Sequence, residues 1–98
     1  MRVEFSDQAK RDIREIAYWI ASDSLEQAER FVRQLSKAAR SLDRLAFRYP
    51  IVGRTEVRRM PYRAYLIFYR VTHQVEVLRI LHSARDWPVI LNDDENAP

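Results

Sequence analysis

The chain has no cysteine, so neither a disulfide framework nor a zinc–thiolate site can form, and a reducing cytosol is the expected compartment. It has a single glycine, Gly53, within "YPIVGR", which marks a turn into a sheet. No apolar run approaches the ~18 residues of a membrane span, so no membrane partner is expected. The opening "MRVEFSDQAKRD" is charged from its second residue and has no apolar core, so it is not expected to be a secretory leader. At 98 residues there is too little chain to bury a second core, and one domain is expected. Lysine is also scarce, at two against fifteen arginines. What is present in quantity is apolar surface, 47% of residues, which supports a packed domain and argues against disorder.

The net charge of +3 is unevenly placed. Residues 1–47 are close to balance, whereas residues 48–85 hold eight arginines against Glu56 and Glu76. Residues 86–98 hold Asp86, Asp93, Asp94 and Glu95 and no base. Arginine grips carboxylate or phosphate with a planar fork, so the second half points to an anionic partner, either nucleic acid or an acidic protein segment.

"RVEF" alternates and reads as a first strand. Ser6 caps a helix whose apolar stripe is Ala9, Ile13, Ile16, Ala17 and Ile20, ending near Ala21 or Ser22. Ser24 and Gln27 form a capping box for a long second helix, which the stripe Ala28, Phe31, Val32, Leu35, Ala38, Ala39, Leu42 and Leu45 carries to about Phe47. Two or three residues separate the helices, which predicts an antiparallel hairpin, closely packed at Ala28, Ala38 and Ala39. "EVRRM" (Glu56–Met60) reads as a strand broken by Pro61. "AYLIFYRV" (Ala64–Val71) and "QVEVLRIL" (Gln74–Leu81) are strands joined through Thr72-His73. Both are apolar on both parities, so both faces of the sheet must be covered, one by the hairpin and one by something else. The expected fold is α+β: an N-terminal strand and a helical hairpin packed on a small antiparallel sheet. The domain spans 1–91, and 92–98 are an acidic tail expected to be disordered.

Four motifs fall in one order along this β-α-α-β-β-β frame. They are "S-x-x-A-x-x-D-[IL]-x-x-I" (Ser6, Ala9, Asp12, Ile13, Ile16), "P-x-x-G-R" (Pro50, Gly53, Arg54) and "Y-x-[IV]-x-Y-R-V" (Tyr65, Ile67, Tyr69, Arg70, Val71). "V-x-V-L-R-[IV]-L-H" (Val75, Val77, Leu78, Arg79, Ile80, Leu81, His82) runs on into "R-D" (Arg85, Asp86). Together they resemble ParE-type toxins of the RelE/ParE superfamily of bacterial toxin–antitoxin modules, over roughly Val3 to Trp87. The resemblance implies a cytoplasmic toxin that inhibits DNA gyrase, blocks replication and is neutralised by a ParD-like antitoxin, without a cofactor or metal. Direct nucleic-acid binding is not required by it.

The alternative that the superfamily offers is a RelE-like, ribosome-dependent mRNA endonuclease. Such enzymes need cations around the scissile phosphate and a proton-transfer group. Arg59 and Arg85 match basic positions of the nuclease pattern. Leu66 stands where its catalytic arginine falls, and Leu91 near where its C-terminal tyrosine falls. Arg59, His82 and Arg85 are therefore the catalytic set only if that reading holds.

As residues, His82 is either a general acid or base or, more plainly, a strand-end imidazole bonded to Asp86 or a backbone carbonyl. Ser83 lacks a nucleophile elbow. Arg70 and Arg79 interrupt apolar strands and need a carboxylate or solvent, with Glu56, Glu76, Asp86 or an antitoxin acid as candidate partners. Their relative facing depends on the hairpin loop. Arg58, Arg59 and Arg63 lie on or beside an edge-like strand and are expected to be exposed for partner binding. Tyr18 and Trp19 leave the apolar stripe and suit a partner helix laid along the hairpin. Trp87 reads as a core plug. The expected binding set is therefore Tyr18, Trp19, Arg58, Arg59, Arg63, Arg70, Arg79, His82 and Arg85.

Overall fold

The computed structural model describes residues 1–95. Strand β1 (Val3–Phe5) leads into helix α1 (Asp7–Ala21). Ser6 starts this helix, its Oγ accepting from the Ala9 amide at 3.0 Å. The same hydroxyl donates to the Leu78 carbonyl at 2.8 Å, so one side chain fixes both the helix start and its place on the sheet. Ser24 caps α2 (Leu25–Arg40) in the same way, accepting from Gln27 N at 3.2 Å.

The long second helix stops early. The Ser41 amide is shared between the Lys37 and Ala38 carbonyls, and its hydroxyl donates back to Ala38 O at 2.5 Å. This local bonding competes with the helical ladder, and a separate turn, α3 (Leu42–Leu45), follows. The apolar stripe continues across the break, which is why the sequence pattern hides it.

Strands β2 (Arg58–Tyr62), β3 (Tyr65–Val71) and β4 (Val75–His82) form an antiparallel meander, and β1 joins β4 in parallel, giving a mixed sheet of order β1-β4-β3-β2. Pro61 does not break β2 but lies inside it, opposite Leu66. The strand is an edge, the one place in a sheet where a missing N–H is tolerated. Thr72, His73 and Gln74 connect β3 to β4, one residue more than the pattern suggested.

Pairing shifts within β3 and β4: Phe68 faces Arg79 but Tyr69 faces Val77, leaving Leu78 as the extra residue of a bulge. The bulge keeps Val75, Val77 and Ile80 together in the hairpin-side core with Leu35, Ile67 and Tyr69. The buried Tyr69 hydroxyl donates to Ala46 O at 2.8 Å, tying the sheet to the end of α3. On the other face Val57, Phe68, Leu81 and Leu91 make a second core. Its cover is the segment around Val52 and Val57 and helix α4 (Trp87–Glu95), with Trp87 tilted against Phe68 at 5.4 Å. Gly53, at φ +55, supplies the left-handed residue of that segment. Helix α4 carries the chain past Leu91 to Glu95, through part of the expected acidic tail, and residues 96–98 lie outside the described residues. Among the described residues no helix is long and apolar enough to cross a membrane.

Candidate functional site

Between the two helices of the hairpin, Ala17, Ala21 and Ala28 line a hollow that their small side chains leave unfilled. The result is a groove of about 470 Å³ on the hairpin's outer side, walled by Tyr18, Leu25 and Val32 and rimmed by Glu29 and Arg33. Tyr18 is 70% and Leu25 65% exposed, large apolar groups in an otherwise charged helix pair.

Trp19, one residue on, points elsewhere. It lines a cleft of about 320 Å³ with Asp12, Glu15 and Ile16 of α1, Tyr65 of β3, Ile80 and His82 of β4, and Arg85 of the following turn. Tyr18 and Trp19 touch edge to face, ring centroids 5.8 Å apart, so the groove and the cleft share a wall. Within the cleft His82 stands edge-on to Tyr65 at 5.3 Å. Its Nδ1 accepts from the Ala84 amide at 3.0 Å, which leaves the proton of the neutral ring on Nε2. The bond is to a backbone amide, neither Asp86 nor a carbonyl.

The arginines separate into different roles. Arg79 is buried and forms a fork with Asp12, its Nε 2.9 Å from Oδ2 and its Nη2 3.1 Å from Oδ1. It is therefore a structural residue and no surface for a partner, which corrects the expected binding set. The carboxylate is one the sequence reading passed over. Asp12 sits one turn from Ala9 and Ile16, and an acid within an apolar stripe was the available signal. Beyond Phe5 the edge of β4 has no strand beside it, and Asp12 Oδ2 takes that role by accepting the Ile80 amide at 2.9 Å.

Arg70 pairs across the strands with Glu76, Nε to Oε2 2.7 Å, on the exposed surface. The Arg70 hydrogen bond holds the Glu76 carboxyl below its usual range. Arg58 donates to Tyr49 O at 2.7 Å and lies over Phe47, clamping the loop before β2. Arg63 is exposed at the β2–β3 turn, bonded to Gln34 at 2.8 Å and over Tyr62. Arg59 is exposed and lies over Trp87 at 5.4 Å.

The last contact decides a question of assembly. Trp87 packs on the second core, whereas Tyr65, the neighbour of His82, packs against Phe31 of α2 on the hairpin side. Arg59 is thus on the face opposite His82, and the set Arg59, His82, Arg85 is not brought together. Leu66 and Leu91 also belong to the second core. Among the described residues no group of three His, Cys, Asp or Glu side chains converges as a metal site. Tyr65 and Glu15 belong to the cleft and were missed, because only the fold brings α1 beside the end of β4.

This fold, together with a match of residues 3–87 to the family described as "ParE toxin of type II toxin-antitoxin system, parDE", defines the class: the toxin component of a bacterial type II toxin–antitoxin module. Within that class the chain belongs to the ParE toxin family. It is 31% identical over 96 residues to "Putative toxin Y4kP" of Sinorhizobium fredii (strain NBRC 101917 / NGR234), an alignment that covers 92% of this chain and 96% of that protein. In fold it is similar to a solved structure described as the chromosomal ParDE TA system from P. aeruginosa, with a TM-score of 0.74 and 18% identity, covering 84% of this chain and 95% of that one.

Proposed function

We propose that this toxin acts in the cytoplasm by inhibiting DNA gyrase and blocking replication. A ParD-like antitoxin neutralises it by laying an amphipathic helix in the α1–α2 groove. The observation that carries the antitoxin half is the groove itself: small residues along its floor with exposed Tyr18 and Leu25 beside them. That is the relief into which a helix sets side chains at i, i+3/i+4 and i+7. The gyrase half rests on family membership. The separation of Arg59 from His82 and the core positions of Leu66 and Leu91 argue for it over mRNA cleavage.

The test is direct. Purified toxin added to gyrase and relaxed plasmid is expected to block supercoiling or to trap cleaved DNA, and the product of the neighbouring reading frame to restore activity and co-purify with the toxin. Codon-positioned cuts in mRNA during in-vitro translation, with gyrase unaffected, would overturn the gyrase reading in favour of the endonuclease.

A further inference from the structure

The cleft between α1 and the end of β4 carries groups that neither the groove nor the core uses. Glu15 and Arg85 are exposed, and neither makes an ion pair with any described residue. Both line the cleft, the acid on the helical wall and the guanidinium on the turn beyond β4. Arg85 N donates to His82 O at 3.0 Å, so this turn holds the guanidinium and the imidazole on one short segment. The Ala84 amide occupies His82 Nδ1, which leaves Nε2–H as a second donor beside the guanidinium. Two donors on one wall suit a phosphate.

The opposite wall is different in kind. Glu15 and Trp19 are one turn apart on α1 and therefore share a face, a carboxylate next to a largely exposed indole. An indole face stacks a base, and a carboxylate's two oxygens match two adjacent N–H donors on a base edge. Guanine presents such a pair, N1–H and the 2-amino group. Adenine offers one amino group beside an acceptor, which a carboxylate repels. Ile16, Ile80 and the Tyr65 ring line the middle of the cleft together with Asp12, whose carboxylate oxygens are taken up by Arg79 and the Ile80 amide, leaving room for a sugar between base and phosphate. At about 320 Å³ the space suits one nucleotide and not a duplex.

We propose that this cleft is a binding site for a single unpaired guanine nucleotide, its base on Trp19 and Glu15 and its phosphate on Arg85 and His82. The site adjoins the antitoxin groove through the Tyr18–Trp19 contact but has its own lining, and it does not depend on the gyrase reading. A partner peptide is the competing occupant. The nucleotide is favoured because the cleft sets a paired donor end and a carboxylate–indole end on facing walls, the layout of one nucleotide.

The experiment is calorimetric titration of the full-length protein with 5′-GMP, 5′-AMP, guanosine, inorganic phosphate and a short single-stranded oligonucleotide carrying one guanine. GMP is expected to bind saturably and about tenfold tighter than AMP. Trp19→Ala is expected to weaken GMP about tenfold or more. Glu15→Gln should erase the preference for GMP over AMP, and Arg85→Ala should weaken GMP while leaving guanosine unchanged. All three side chains are exposed, so the variants are expected to keep the wild-type circular dichroism. An oligonucleotide that binds tighter than GMP identifies a nucleic-acid strand as the source, and equal binding identifies the free nucleotide. No saturable binding, GMP binding no tighter than inorganic phosphate, or variants that alter antitoxin affinity but not GMP affinity would each overturn the proposal. Gyrase inhibition assayed with ATP but without added guanine nucleotide keeps that reading's failure distinct from this one's.

Discussion

Replacing Asp12 with alanine tests the contact that joins the helical hairpin to the sheet. Asp12 and Arg79 are 5% and 8% exposed, and the carboxylate accepts from both the guanidinium and the Ile80 amide. Gln8 Nε2, at 3.2 Å, adds a further donor. In Asp12→Ala the arginine keeps its charge in the interior without this carboxylate, and the Ile80 amide loses its acceptor. Breaking a buried pair from one side costs about 3–5 kcal/mol, most of it the penalty of the stranded charge. A domain of this size has about 5–15 kcal/mol in all, so the variant should lose a substantial share of its stability. The corresponding fall in Tm is on the order of 15–25 °C. Urea denaturation followed by circular dichroism measures it, with the midpoint moving and the slope unchanged. The double variant Asp12→Ala/Arg79→Met removes the charge while keeping bulk, and should recover a large part of the loss. If Asp12→Ala costs less than about 1 kcal/mol, or the double variant is as unstable as the two single losses added, the pair is not the anchor described and the reasoning fails.

Tyr69→Phe leaves the Ala46 carbonyl without its buried donor and should cost about 1–2 kcal/mol by the same denaturation. Burial raises the Tyr69 phenol above its ordinary 10.0, so its contribution is fully present below pH 10 and is lost as pH climbs from there through the raised value. A pH series of denaturation midpoints should show that alkaline decline in the wild type and a shallower one in Tyr69→Phe. In the groove, Tyr18→Ala or Leu25→Asp should weaken antitoxin binding about tenfold or more without altering the fold, read by calorimetry and by failure of the antitoxin to rescue growth. At the β2–β3 turn, Arg63 holds φ at +52°, so Arg63→Gly should raise thermal stability by about 0.5 kcal/mol and Arg63→Val lower it by about 1–2 kcal/mol.

Local chemistry was the legible part of this chain. Ser6 and Ser24 announce both helices because a cap is a contact between residues three apart. Strands β3 and β4 show in their β-branched and aromatic runs. Pairing was not legible. Nothing near Leu78 marks it as the extra residue of a bulge, since a bulge exists only relative to the strand opposite. The bulge and the short β1 together bring Arg79 to Asp12, so the arginine's partner lay in a helix and not in the adjacent strands. The sequence placed Tyr18 and Trp19 side by side as one patch. Consecutive helical residues diverge by roughly 100°, and the structure gives each its own cavity. Arg59, His82 and Arg85 formed one set only through the resemblance to the nuclease pattern. The alternation of a strand's faces divides them.

The parallel pairing of β1 with β4 has a consequence for how the chain reaches its active form. Val3 pairs with Val75, and Asp12 meets Arg79 across 67 residues. The first strand therefore has no neighbour, and the first helix no anchor, until β4 has been made. Contacts over such separations must close large loops, so they form late. A chain halted in the β3–β4 turn would carry the intact groove-forming helices but an unclosed sheet, with β1 and one side of β3 left open. The last strand thus closes the sheet, and a prematurely ended product would present open strand edges.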